Sequence, residues 1–143
     1  MIVKTILAAK GGEVVSIEPS ANLTAAVRLL ATHRIGALLI LGADDRVVGI
    51  LSERDIVRAL ADRGPAVLDQ TVGQIMTHGV VTCSEAETTR AIMEKMTTGR
   101  FRHVPVVAQG RVVGIVSIGD VVKHRLNEIE QEAKTLRDYI STS

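Results

Sequence analysis

Cys83 is the chain's only cysteine, so no internal disulfide can form and no thiolate cluster can hold a metal within one chain. That points to a reducing compartment. Tryptophan is missing and the aromatics reduce to Phe101 and Tyr139, which argues against single-stranded nucleic-acid binding by base stacking. Charge of one sign is also missing: residues 1–71 carry eight Lys/Arg and eight Asp/Glu, and residues 72–143 carry nine and eight. No basic arm or acidic tail exists to hold a polyion. The longest apolar run, Ile35 to Ala43, is about half the ~20 residues a membrane helix needs. The opening Met1-Ile-Val-Lys-Thr-Ile-Leu7 lacks the order of a signal peptide, so a soluble, cytoplasmic protein with no membrane and no nucleic-acid partner is expected. There is neither a Walker A sequence nor a G-x-G-x-x-G run, so a bound nucleotide would not use a P-loop or Rossmann cradle. His33, His78, His103 and His124 are scattered without metal-ligand spacing, and no metal is expected. What is present is 143 residues at 46% hydrophobic and 23% charged, enough for one domain or two small halves sharing an aliphatic core.

The chain repeats itself. Arg46-Val-Val-Gly-Ile50 recurs letter for letter as Arg111-Val-Val-Gly-Ile115, 65 positions later. Downstream, Leu51-Ser-Glu-Arg-Asp-Ile-Val57 aligns with Val116-Ser-Ile-Gly-Asp-Val-Val122. Upstream, with a one-residue gap, Arg34-Ile-Gly-Ala-Leu-Leu-Ile40 aligns with Arg100-Phe-Arg-His-Val-Pro-Val106. Further back, Val3, Ile6 and Leu7 answer Val72, Ile75 and Met76. The expected division is a first unit at 1–64, a linker at 65–71, a second unit at 72–126 and a C-terminal extension at 127–143.

Each unit predicts the same element order: a short β-branched stretch (Val14 to Ile17; Val80 to Cys83), a helix, two strands and a second helix. The first helices are expected from about Ser20 and from a capping box at Ser84-Glu-Ala-Glu87. The strand pairs are 37–41 with 47–51 and 104–107 with 112–116, with turn chemistry at Asp44-Asp45 and Gln109-Gly110. Arg63-Gly64-Pro65 supplies a basic residue, a glycine and a breaker to end the second helix of the first unit. The last helix is predicted from Asp120 to about Ile140, with Val122, Leu126, Ile129, Ala133, Leu136 and Ile140 spaced 4, 3, 4, 3 and 4. That heptad seam is too short for a free coiled coil and calls for packing against the module or a sister subunit.

Two copies of V-G-h-h-S-x-x-D, each closing a β-α-β-β-α unit, resemble the tandem cystathionine β-synthase (CBS) domain pair, also called a Bateman module. The resemblance covers essentially the whole chain and looks most like the small stand-alone bacterial CBS-pair proteins. It implies an α/β (α+β) fold of two β-α-β-β-α units with pseudo-twofold symmetry plus the extended C-terminal helix, and often a homodimer. It also implies clefts between the units for adenosyl ligands: AMP, ADP, ATP, NAD(H) or S-adenosylmethionine.

Candidate ligand residues follow from matching positions. Ser52-x-x-Asp55 and Ser117-x-x-Asp120 each sit where a strand turns into a helix, and two readings are open. One is a plain capping box. The other, implied by the resemblance, is a ribose anchor in which the carboxylate accepts from two vicinal hydroxyls, a charge-assisted arrangement. Gly36, Ala37, Leu38 and Leu39, with Arg102, His103, Val104 and Pro105, match the stretch that borders the adenine in the family, although a buried strand entry explains the apolar ones equally well. Ile17 and Thr82 match first-strand positions that reach the adenine. Arg54, Lys123 and His124, one turn into the second helices, and Arg34, Arg100 and Arg102 are phosphate candidates. Glu53-Arg54 corresponds to Ile118-Gly119, so the clefts are not expected to be equivalent. Cys83 has no histidine partner suggested by the sequence, and catalysis is not needed to explain any motif. The expected function is a non-catalytic adenine-nucleotide sensor, a homodimer signalling energy or redox state to an unknown protein partner. A structural dimerisation module with vestigial clefts is the alternative. With aromatics so few, any adenine is expected to be held by aliphatic walls and backbone groups.

Overall fold

The computed structural model describes residues 1–142. Its order is helix α1 (Val3–Lys10), strand β1 (Ser16–Ile17), α2 (Leu23–His33), β2 (Ala37–Leu41), β3 (Val47–Ser52), α3 (Glu53–Arg63), α4 (Val72–Ile75), α5 (Thr89–Gly99), β4 (His103–Ala108), β5 (Arg111–Ser117) and α6 (Ile118–Thr142). In the first repeat β1 pairs parallel with β2, and β2 pairs antiparallel with β3. The second repeat copies this: β4 pairs antiparallel with β5, and Cys83 makes a single parallel bridge to Val106 where a counterpart of β1 would lie. Gln109 and Gly110 both have positive φ (53° and 78°), the backbone that a two-residue hairpin between right-twisted strands requires.

Several elements differ from the sequence expectation. Strand pairing over 14–17 is confined to Ser16–Ile17, and over 80–83 to the one Cys83 bridge. Ser84 and Glu87 do bond, the Glu87 carboxylate accepting from the Ser84 amide at 2.7 Å. They form a turn ahead of α5, however, whose cap is Thr88, accepting from the Ala91 amide at 3.1 Å. The first-repeat helix is capped by Asn22. The stretch expected as a linker is a 3-10 segment, Pro65–Asp69, with Val67 fully buried. Helices α1 and α4 were not foreseen as elements, because one or two turns carry too little periodicity to declare themselves.

Those two short helices are exchanged between the repeats. Val3, Ile6 and Leu7 of α1 lie in one core with Ile92, Met96, Val104, Val106, Val116 and Val121, all from the second repeat. Val72 of α4 lies in the other core with Leu23, Leu38, Ile40, Leu51 and Ile56 from the first. Main-chain bonds stitch the exchange: the Val3 amide donates to Glu87 O and the Thr89 amide to Met1 O, while the Val72 amide donates to Ala21 O. The repeated Val-Val-Gly-Ile explains itself here. A Cβ on Gly114 would lie 2.6 Å from Leu7 Cδ2, and one on Gly49 would lie 2.9 Å from Met76 Cγ. Each glycine therefore lets the opening helix from the other repeat cross its strand closely.

Cys83 is 5% exposed in the second core. Burial, reinforced by Glu87, pushes its thiol up to about 11. Because only the thiolate reacts, maleimide labelling of the native chain at pH 8 is expected to run about a hundredfold slower than labelling of the urea-unfolded chain. Comparable rates would place the thiol at the surface.

Candidate functional site

The end of β3 and the first turn of α3 build the centre of the site. Ser52 caps α3, its Oγ accepting from the Asp55 amide at 3.2 Å, while Asp55 Oδ2 accepts from the Ser52 amide at 2.9 Å and from its hydroxyl at 3.1 Å. The cap occupies Oδ2. Among the described residues Oδ1 accepts only the Thr77 hydroxyl, at 3.2 Å. Thr77 is brought there by α4, since its amide and carbonyl pair with Ile50 at 2.9 and 3.1 Å, extending the sheet past β3.

Around this carboxylate opens a cleft of about 530 Å³ lined by both repeats, within the ~300–1,000 Å³ range of small-molecule sites. The first repeat supplies Gly36, Ile50, Ser52, Glu53, Arg54, Asp55 and Arg58. Thr77, Gly79, Val80, Val81 and the 99–103 turn come from beyond the 3-10 segment. Four arginines (54, 58, 100 and 102) face two carboxylates (53 and 55), and among the described residues none of the four forms an ion pair. Arg100 reaches the rim from a left-handed backbone (φ 57°) that ends α5, a conformation costing about 1 kcal/mol for a non-glycine residue. His103 is half-buried, and burial, helped by the charge of Lys10, holds its pKa below the ordinary imidazole value, so it is neutral at pH 7 and can both donate and accept.

The structure thus brings together Gly36, Ser52, Arg54, Asp55, Arg100, Arg102 and His103 of the residues expected from sequence. Leu38, Leu39 and Val104 are fully buried, and Ala37 and Pro105 are buried in their strands. None of these lines the cleft. Ile17 is half-buried against the first core. Thr82 is exposed, its carbonyl accepting from Lys95 Nζ at 3.0 Å. Ser117, Ile118, Asp120, Lys123 and His124 belong to the pseudo-symmetric position on β5 and α6, away from this cleft, as does the exposed Arg34 in the corresponding turn. Lys123 and Ile118 border a shallow groove along α6 with Gly119, Val122 and Leu126.

At that second position Ser117 caps α6, accepting from the Asp120 amide at 3.1 Å, and Asp120 Oδ2 accepts from the Ser117 amide at 2.9 Å. The same oxygen carries Lys10 Nζ at 2.6 Å, and Lys10 also donates to Ile115 O at 2.9 Å. Burial alone would raise the Asp120 carboxyl, but the Lys10 and Ser117 bonds hold it below the usual carboxylate range.

Sequence reasoning missed Glu53, Arg58, Thr77, Val80, Val81, Phe101 and Lys10. Arg58 was legible, standing four residues after Arg54 on the same helix face. Phe101 adds an aromatic wall to a cleft expected to be aliphatic. Thr77 and Lys10 were hidden because each acts on the other repeat. No group of three or more His, Cys, Asp or Glu among the described residues could hold a metal ion, and no helix among them is long and apolar enough to cross a membrane.

Residues 6–62 and 72–127 each match the CBS domain family. The chain superposes on the CBS-domain containing protein ATU1752 from Agrobacterium tumefaciens with a TM-score of 0.85 at 49% identity, covering 87% of this chain and 99% of that one. It is similar also to the CBS domain pair of protein MJ0100 in complex with 5'-methylthioadenosine and S-adenosyl-L-methionine (TM-score 0.80, 30% identity, 90% of this chain and 98% of that one). A third likeness is to the CBS domain protein PAE2072 from Pyrobaculum aerophilum complexed with AMP (TM-score 0.75, 31% identity, 84% and 89%). In sequence it is 36% identical over 120 residues to the CBS domain-containing protein CBSX3, mitochondrial, of Arabidopsis thaliana, covering 80% of this chain but spanning only 58% of that relative's length. With both repeats matched, the two strand-to-helix Ser-x-x-Asp turns accounted for and the fold shared with solved CBS pairs, this chain belongs to the CBS domain family.

Proposed function

We propose that the chain is a non-catalytic, cytosolic sensor whose cleft at Asp55 binds a phosphate-bearing adenine nucleotide, AMP, ADP, ATP or NAD(H), and relays its occupancy to a protein partner. The observation that carries this reading is the pairing of one carboxylate oxygen, held among the described residues only by a hydroxyl, with four arginines that have no ion-pair partner among them. A ribose diol can replace the Thr77 hydroxyl on Oδ1 at little cost, because one neutral donor is exchanged for another. The guanidiniums, two of them one turn apart on α3, suit phosphate oxygens in fork geometry. Val80, Val81 and Phe101 offer the apolar walls an adenine needs, and neutral His103 is a donor and acceptor for its edge. Binding would act by population shift, favouring the arrangement of the two repeats that closes the cleft.

A melting and calorimetry panel of adenosine, AMP, ADP, ATP, NAD and S-adenosylmethionine tests it. The expected order places the phosphorylated ligands above adenosine, with affinity falling as salt rises, and the sulfonium-bearing S-adenosylmethionine below them. At 100 times its Kd a ligand adds about 2.7 kcal/mol, a rise of roughly 5–10 °C. A flat panel would sink the nucleotide reading.

One observation favours a second role for α6. Val122, Leu126, Ile129 and Leu136 are 44%, 55%, 47% and 60% exposed along one seam, which suits a second copy of the chain or the partner that reads the signal. Were the protein a structural dimerisation module alone, removal of residues 127–143 would abolish association and nucleotides would have no effect on melting.

A further inference from the structure

Ile50 and Asp55 in the first repeat align with Ile115 and Asp120 in the second, and the two pairs of acceptors are served differently. In the first, Ile50 O accepts the Thr77 amide at 2.9 Å and Asp55 Oδ1 accepts the Thr77 hydroxyl at 3.2 Å. In the second, one ammonium takes the carbonyl and the cap oxygen of the carboxylate, with Lys10 Nζ 2.9 Å from Ile115 O and 2.6 Å from Asp120 Oδ2, the oxygen that also accepts the Ser117 amide. The origin is a difference in helix length. Helix α1 runs 8 residues where its counterpart α4 runs 4, and the extra turn carries Lys10 up to β5, where Gly12 follows so closely that a Cβ on it would lie 2.9 Å from Val113 O.

We propose that Lys10 is a built-in competitor for the ribose diol, so that the two pseudo-symmetric positions are unequal and the chain takes one nucleotide, at Asp55. The inference rests on the nucleotide reading above. A diol donates neutral O–H groups, and to engage both oxygens of Asp120 it must displace from Oδ2 a cation that holds the carboxylate by a charge-assisted bond and is anchored a second time on a main-chain carbonyl. Lys10 is also favoured there by its place in the last turn of α1, where the helix dipole stabilises a cation. The pair is only partly shielded, with side chains 33% and 23% exposed, so its hold is discounted for solvent screening and the expected penalty on the second position is about tenfold in Kd.

The experiment is native mass spectrometry with calorimetric titration of AMP and ATP into the full chain, Lys10→Met, Asp55→Ala and the double variant, each checked for fold by circular dichroism. Wild type is expected to bind one nucleotide tightly, Lys10→Met to gain a second about tenfold more tightly than wild type does, and Lys10→Met to restore binding to a chain that lost it through Asp55→Ala. Two equivalent nucleotides on wild type, or a folded Lys10→Met chain that still binds only one, overturns the competitor role and leaves the nucleotide reading standing. Absence of binding by every variant overturns both.

Discussion

Asp55→Ala is expected to weaken nucleotide binding by a hundredfold or more, because a ribose diol loses charge-assisted acceptors worth about 1.5–3 kcal/mol each. The same change removes the reciprocal cap that Asp55 makes with the Ser52 amide at 2.9 Å, a loss of about 1 kcal/mol of stability. Melting and binding must therefore be measured together. Asp55→Asn separates the two roles: its amide oxygen still accepts from the Ser52 amide, so stability is kept, whereas the missing charge costs about tenfold in affinity. A folded Asp55→Ala chain with wild-type affinity would reduce Ser52-x-x-Asp55 to a helix cap. Arg58→Ala, by contrast, touches an exposed side chain and is expected to leave melting unchanged.

Leu38→Ala is expected to cost about 2–5 kcal/mol, lowering the melting temperature by roughly 5–20 °C, while the folded fraction binds nucleotide normally. Leu38 is fully buried beside Leu23, Leu30, Leu51 and Ile56, and β2 is buried on both faces over Ala37–Ile40, so truncation leaves a cavity that the packed neighbours cannot close. Chemical denaturation with calorimetry on the same preparation checks both halves. Loss of affinity without loss of stability would instead make Leu38 a cleft residue, the alternative that matching positions left open.

How far the sequence could be read follows from which forces act locally. The hairpin turn at Gln109-Gly110, the stop at Arg63-Gly64-Pro65 and the Ser-x-x-Asp caps are written within a few residues, so the strands and long helices they bound were legible. Burial was legible only as a property of a whole strand. That Gly36 lines the cleft while Ala37, next to it, is 5% exposed in the core depends on where the partner repeat sits. Ser84-x-x-Glu87 shows the limit of a motif: its bond forms, but the chain turns once more before Thr88 starts the helix.

By itself the sequence determined the repeat, the order of the long helices and the paired strands in each unit, the absence of a phosphate-cradling loop and the two Ser-x-x-Asp turns. Each of these needs only the chemistry of neighbouring residues. Only the tertiary structure decided that α1 and α4 change places. Val3, Ile6 and Leu7 present the same apolar pattern as Val72, Ile75 and Met76, and either helix could fill either core as far as hydrophobicity is concerned. The exchange is what carries Thr77 to Asp55 and Lys10 to Asp120, contacts that span 22 and 110 positions. Two copies of one motif thereby acquire different occupants, because a neutral hydroxyl and an ammonium arrive from opposite repeats along helices of unequal length.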